Sequence, residues 1–166
     1  MTIRTARLAL DLLEPGQSQK ELHHNEALAL LDLGVQASVI AAGTDVPPQM
    51  PEPGQCWIVG TVPTGAWTGR PQAIAGWTAA GWRFVAPREG LVAWDEGRHV
   101  CQRFSAGRWQ AGVVRGTELD IAGERVVGPR AGAIAAPAGG GTVDAEARAT
   151  LAALLAALRG HGLIAF

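Results

Sequence analysis

Hydrolytic or transfer chemistry needs a nucleophile beside a base, a carboxylate pair facing across a cleft, or a cluster of metal ligands. The nearest approaches in this chain each lack a part. His23 and His24 are adjacent, so on a helix they point about 100° apart and do not chelate as an i, i+4 pair would. Gly139-Gly140-Gly141 precedes a helix start and could cradle a phosphate, but no Lys-Ser/Thr completes a P-loop. Asp95 and Glu96 are neighbours in a turn, not carboxylates held roughly 5 to 9.5 Å apart across a glycosidic bond. Cys56 and Cys101 are too distant in sequence for a metal pair and too few for a disulfide framework, and read as reduced core thiols. No catalytic residue, metal ligand or cofactor is expected, and the chain reads as a non-enzyme.

Binding chemistry is better represented. All six tryptophans, Trp57, Trp67, Trp77, Trp82, Trp94 and Trp109, crowd into the middle of a chain that has no Tyr and only three Phe. Indoles supply large buried area to a small sheet, and an exposed indole face also stacks on the apolar face of a pyranose. Trp57, Trp77 and Trp82 lie inside apolar runs and are expected in the core. Trp67, in the Gly-flanked segment Thr64-Gly-Ala-Trp-Thr-Gly69 with Arg70 beside it, is the best candidate for an exposed, glycan-binding ring, and Trp94 is the second.

The elements that would position these rings follow from pattern. Residues 1–17 read as an extended arm, with Leu8, Leu10 and Leu12 alternating before Pro15-Gly16. Ser18 and Glu21 have capping-box spacing, which predicts a helix from Gln19 to Leu33 that Gly34 ends. Its Leu22 and Leu30 are candidates for an oligomer contact. Val35 to Ala42 has strand character, and Pro47, Pro48, Pro51 and Pro53 then make a linker. From Cys56 to about Val114, short apolar runs alternate with Gly-rich turns, among them Asp95-Glu-Gly97 and Ser105-Ala-Gly107, the signature of an antiparallel barrel or sandwich. A second β stretch spans Glu118 to Ile134, and a flexible tract from Pro137 to Gly141 follows. Thr142 caps the last helix, where Leu151, Leu154, Leu155 and Leu158 fall at i, i+3, i+4 and i+7 and offer a face to another subunit.

The expected class is therefore mainly β, a small Trp-rich antiparallel barrel or sandwich with an N-terminal helix and a C-terminal amphipathic helix, α+β overall. The expected modules are an arm and helix over 1–42, a Pro-rich linker over 43–55, the β domain over 56–136, and a Gly-rich linker with the last helix over 137–166. With 166 residues, one core is the default. A net charge of −1 and 17% charged residues leave no basic field for nucleic acid or a membrane surface. The 48% apolar content with 22 Gly and 10 Pro predicts an apolar surface that meets another subunit. The run from Leu8 to Leu12, broken by Asp11, is shorter than the roughly 7–15 residues of a signal peptide, and no apolar stretch reaches the roughly 18 of a membrane span, so synthesis and folding in the cytoplasm are expected.

Several segments together resemble one family: Thr5-Ala-Arg-Leu-Ala-Leu10, Gln17-Ser-Gln-Lys20, His24-Asn-Glu-Ala27 and Leu31-Asp32, then Pro53-Gly54, Trp57-Ile-Val-Gly60 and Thr64-Gly-Ala-Trp-Thr-Gly69. Val126-Val-Gly-Pro-Arg130, Asp144-Ala-Glu-Ala-Arg148 and His161-Gly-Leu-Ile164 extend the likeness along nearly the whole chain. The set is similar to domain-of-unknown-function family 2793, found in prophages and gene transfer agents of alphaproteobacteria. The resemblance implies a virion decoration protein, a head spike or tail-fibre component that mediates attachment to the host surface, with no catalytic residues to carry over. The chain is short and has no fibre-like repeat, which favours a spike base or adaptor. The partners so implied are further copies of the chain in a trimer or pentamer, other virion proteins such as capsid or spike fibre, and host capsular polysaccharide. The place is a virion-like particle assembled in the bacterial cytoplasm and released by lysis.

Overall fold

A computed structural model describes residues 4–13, 16 and 20–166. The chain divides into two compact units, Met1–Val113 and Val114–Phe166. It is mostly β with two helices, so the α+β class holds, and its sheets stay open rather than closing into a barrel.

In the first unit, α1 (Lys20–Gly34) leads to β1 (Ser38–Val39), β2 (Ala41–Thr44) and β3 (Cys56–Val59), then to a single 3₁₀ turn (Gly65–Trp67). β4 (Ile74–Thr78), β5 (Gly81–Val85), β6 (Val92–Asp95), β7 (Val100–Ser105) and β8 (Arg108–Ala111) follow. Two four-stranded sheets result, one in the order β1-β6-β7-β8 and the other β2-β3-β4-β5. Only Ile40 separates β1 from β2, so one short segment feeds both sheets. Each of these strands pairs parallel to its neighbour, β1 with β6 and β2 with β3, an arrangement that an antiparallel reading of local turns misses. The remaining pairings in these two sheets are antiparallel. The expected turn at Ser105-Ala-Gly107 is a two-residue one, where Ala106 (φ 53) and Gly107 (φ 74) supply two successive left-handed residues.

Strand β3 explains where the core sits. Cys56 and Ile58 face a cluster with Val39, Ala93, Ile74 and Leu33 of α1. Trp57 and Val59 face the opposite side, with Trp67 and Ala75. All four strand residues are buried, so this sheet is covered on both faces. Leu33 reaches the sheet because Gly76 of β4 has no side chain; a Cβ there would stand 2.2 Å from Leu33 Cδ2. Helix α1 runs one residue beyond its expected end, and the left-handed residue that follows is Gln36 (φ 47) rather than Gly34. Ser18 of the expected capping box lies outside the described residues.

The described part of the arm is not extended. Thr5 N–H donates to Leu10 O at 2.9 Å and Ala9 turns at φ 52, closing a small loop against the end of α1. Buried Asp32 holds it, accepting from Thr5 Oγ1 (2.9 Å), Arg7 N (3.0 Å) and Leu8 N (2.5 Å).

The second unit contains the hairpin β9 (Leu119–Ile121) and β10 (Glu124–Val127), turned by Ala122 (φ 55) and Gly123 (φ 83), and the helix α2 (Ala145–Gly160). The cap of α2 is Asp144, not Thr142: its carboxylate accepts from Ala147 N at 2.8 Å. Asp144 stands immediately before the first helical residue, where an anion also meets the positive end of the helix dipole. Arg159 in the last turn donates to Ile134 O at 2.6 Å, tying the helix to the irregular segment before it.

Candidate functional site

Trp67 is fully buried, which overturns the expectation of an exposed ring. Gly65 (φ 56) and Gly69 (φ 77) bend the loop so that the indole is driven onto the outer face of β3 and β5. It meets Trp57 at 6.2 Å and Trp82 edge-on at 5.2 Å between ring centroids, and Trp82 meets Trp77 at 5.0 Å. The loop is a plug. Arg70, expected beside an exposed ring, instead lays its guanidinium over Phe84 at 5.3 Å, at the rim of the same cluster. A hint of this was present in the sequence: Cys-Trp-Ile-Val is apolar at consecutive positions, so both faces of that strand need cover.

Trp94 is the ring that remains open, 42% exposed on β6. It lies opposite Cys101 of β7 and beside Ser38 of β1, on the outer face of the first sheet. Cys101 is exposed, whereas Cys56 is buried and burial pushes its thiol up to about 11, so only the former departs from the expected core thiols.

Of the leucines expected in an oligomer contact, Leu22 and Leu30 of α1 are exposed. On α2, Leu151 and Leu154 are open, Leu158 is half-buried, and Leu155 is buried. The hairpin of the same unit exposes Leu119, Ile121, Val126 and Val127. Among the described residues of this unit, only Leu155 and Ile164 are buried.

Among the described residues of the first unit, two concavities stand out. One, of about 380 Å³, lies between the arm, α1 and the β4–β5 hairpin and is largely apolar. Of the polar side chains around it, Glu26 pairs with Arg83 at 2.7 Å, Arg4 with Asp11 at 2.7 Å, and Asn25 with the backbone of Leu13, whereas Glu21 Oε2 is buried with no hydrogen-bond partner among the described residues. The second, of about 320 Å³, has a mixed lining that includes Asp45, Gln72, Arg98, Gln102, Arg108 and Trp109. Sequence reasoning assigned none of these a role; the one available signal is Gln102, a polar residue at an inward position of β7 between apolar neighbours. Among the described residues, no group of His, Cys, Asp and Glu could hold a metal ion, and no helix is long and apolar enough to cross a membrane.

Two open four-stranded sheets and a plug of indoles define the architecture of the first unit. Residues 24–110 match the family model described as "Protein of unknown function (DUF2793)". The chain belongs to that family. The match runs from within α1 through β8, so the family region is the two-sheet body, and the likeness read near Thr5, Gln17, Val126, Asp144 and His161 lies outside it. No curated protein matches the chain.

Proposed function

We propose that this protein is a non-enzymatic structural component of a tailed-phage-like particle or gene transfer agent, a homo-oligomeric head-spike base or adaptor that supports attachment to the host surface. One observation carries the assembly part of this reading. The second unit buries only Leu155 and Ile164 among its described residues, while Leu119, Ile121, Leu151 and Leu154 are open. A two-stranded hairpin and a short helix are each marginal alone in water. Leu151, Leu154 and Leu158 have the 3–4 spacing of a helix-pairing seam. The acidic residues of this unit (118, 120, 124, 144 and 146) are matched in number by its arginines (115, 125, 130, 148 and 159), so copies can approach without net repulsion. A ring of copies would leave the two-sheet bodies free to meet other virion proteins.

Light scattering of the purified full chain tests this. A particle several times the 17.3 kDa monomer at micromolar concentration is the expected result, with reversion to monomer in a Leu151→Asp/Leu154→Asp variant. A wild-type monomer under the same conditions would defeat the proposal. A second reading, a glycan-binding module of the spike or fibre, is favoured by the exposure of Trp94; Trp94→Ala would then abolish adsorption to capsulated cells while folding is kept.

A further inference from the structure

We propose that the groove of mixed polar and apolar lining bordered by β7 and β8 binds an acidic saccharide unit, a pyranose ring bearing a carboxylate. This assigns the sugar-binding reading to a place other than Trp94, and it is independent of the assembly reading because every residue lining the groove lies in the first unit. At about 320 Å³, the groove falls at the low end of the roughly 300–1,000 Å³ typical of small-molecule sites.

Its parts are held before any ligand arrives. The Trp109 indole N–H donates to Gln72 O at 2.8 Å, and Phe104 meets the ring edge-on at 5.5 Å. With its polar atom occupied, what this indole presents to the groove is apolar ring surface, suited to the C–H face of a pyranose. Gln102 is 2% exposed and donates its amide N–H to Asp95 Oδ2 at 2.8 Å. A carboxylate only accepts, so this contact fixes the amide with its N–H end on Asp95 and its acceptor carbonyl at the other end. Asp45 Oδ1 accepts from Val62 N at 2.9 Å and lies over Gly60, where a Cβ would come within 2.1 Å of it. That fixes a second acceptor for hydroxyls.

Charge selects among ring-shaped ligands. Arg98 stands 3.7 Å from Asp95 with most of its side chain in solvent, a loose pairing that leaves its fork available. Arg108 borders the same groove. Guanidinium forks match carboxylates in shape and charge. A phosphate, with more than one negative charge at neutral pH, would crowd more charge against Asp45 than a single carboxylate does, which favours the sugar acid.

Isothermal titration of the full chain with a galacturonate trimer, a neutral galactose trimer and inorganic phosphate tests the inference. Binding of the galacturonate trimer alone is expected, weakened about tenfold or more by Arg98→Gln or Arg108→Gln, with thermal melting unchanged and Trp94→Ala without effect. Absence of galacturonate binding at millimolar ligand would overturn it. So would equal binding of the neutral trimer or of phosphate, indifference to both arginine variants, or loss of binding in Trp94→Ala. Light scattering on the same samples reads the assembly proposal separately.

Discussion

The two units of this chain solve the same problem differently. The first buries Leu33, Val39, Ile58, Ile74, Trp57 and Trp67 in two clusters on either side of one sheet. The second folds its backbone into a hairpin and a capped helix, yet leaves Leu119, Val126, Val127, Leu151 and Leu154 in solvent. Secondary structure is equally regular in both. What separates them is that local signals suffice to shape a helix or a hairpin, whereas stability comes from covering apolar faces, and the second unit has too few elements to cover its own.

The largest effect expected within the first unit comes from its plug. Trp67→Ala removes the centre of the indole cluster and should cost about 3–5 kcal/mol in urea unfolding; a cost near zero would mean that the outer face needs no cover. Next is the clasp of the arm. Asp32→Ala leaves the Thr5 hydroxyl and the Arg7 and Leu8 amides without their acceptor and should cost about 2–3 kcal/mol, with faster amide exchange confined to residues 5–10 and the end of α1.

Alkaline unfolding reads the same core chemically. The folded state raises the Cys56 pKa from 9.0 to about 11, so it holds the thiol proton more tightly than the unfolded chain does. The neutral thiol's advantage is intact below pH 9 and is lost as pH climbs from 9.0 to about 11, a fall of about 2–3 kcal/mol that Cys56→Ala should largely remove. At neutral pH a thiol reagent should label exposed Cys101 at once and Cys56 only on unfolding.

Smaller effects sharpen the contrast from the other side. Removing residues 114–166 should leave the melting temperature of the first unit within a few degrees of the full chain's. The excised segment alone should show helix by circular dichroism only as its concentration rises. Asp144→Ala should lower that helicity by about 1 kcal/mol of helix stability. Trp94→Ala, at an exposed position, should change unfolding by less than about 0.5 kcal/mol.

Much of the architecture was legible in residue order. The 3–4 leucine spacing and the acidic first turn marked α2, and the Ser105-Ala-Gly107 turn marked its hairpin. Asp32 illustrates the opposite case. Near the end of a helix it resembles any solvated carboxylate, and only the return of the chain at residues 5–8 makes it a buried clasp. The groove residues were equally hidden, since Asp45, Gln72 and Gln102 come from three separate segments.

By itself, then, the sequence determined the mainly β class, the two helices, the tight turns and the gathering of the tryptophans into one stretch, because each of these depends on spacing, φ preference or capping between near neighbours. Tertiary structure alone decided which tryptophans face water. The glycines around Trp67 permit the loop to bend either way, and the direction is settled by an uncovered apolar face on β3 that lies distant in space until the sheet has formed. The same reason sets the parallel pairing of β1 and β2, a choice made by partners at residues 57–59 and 94–95 rather than by anything in residues 38–44.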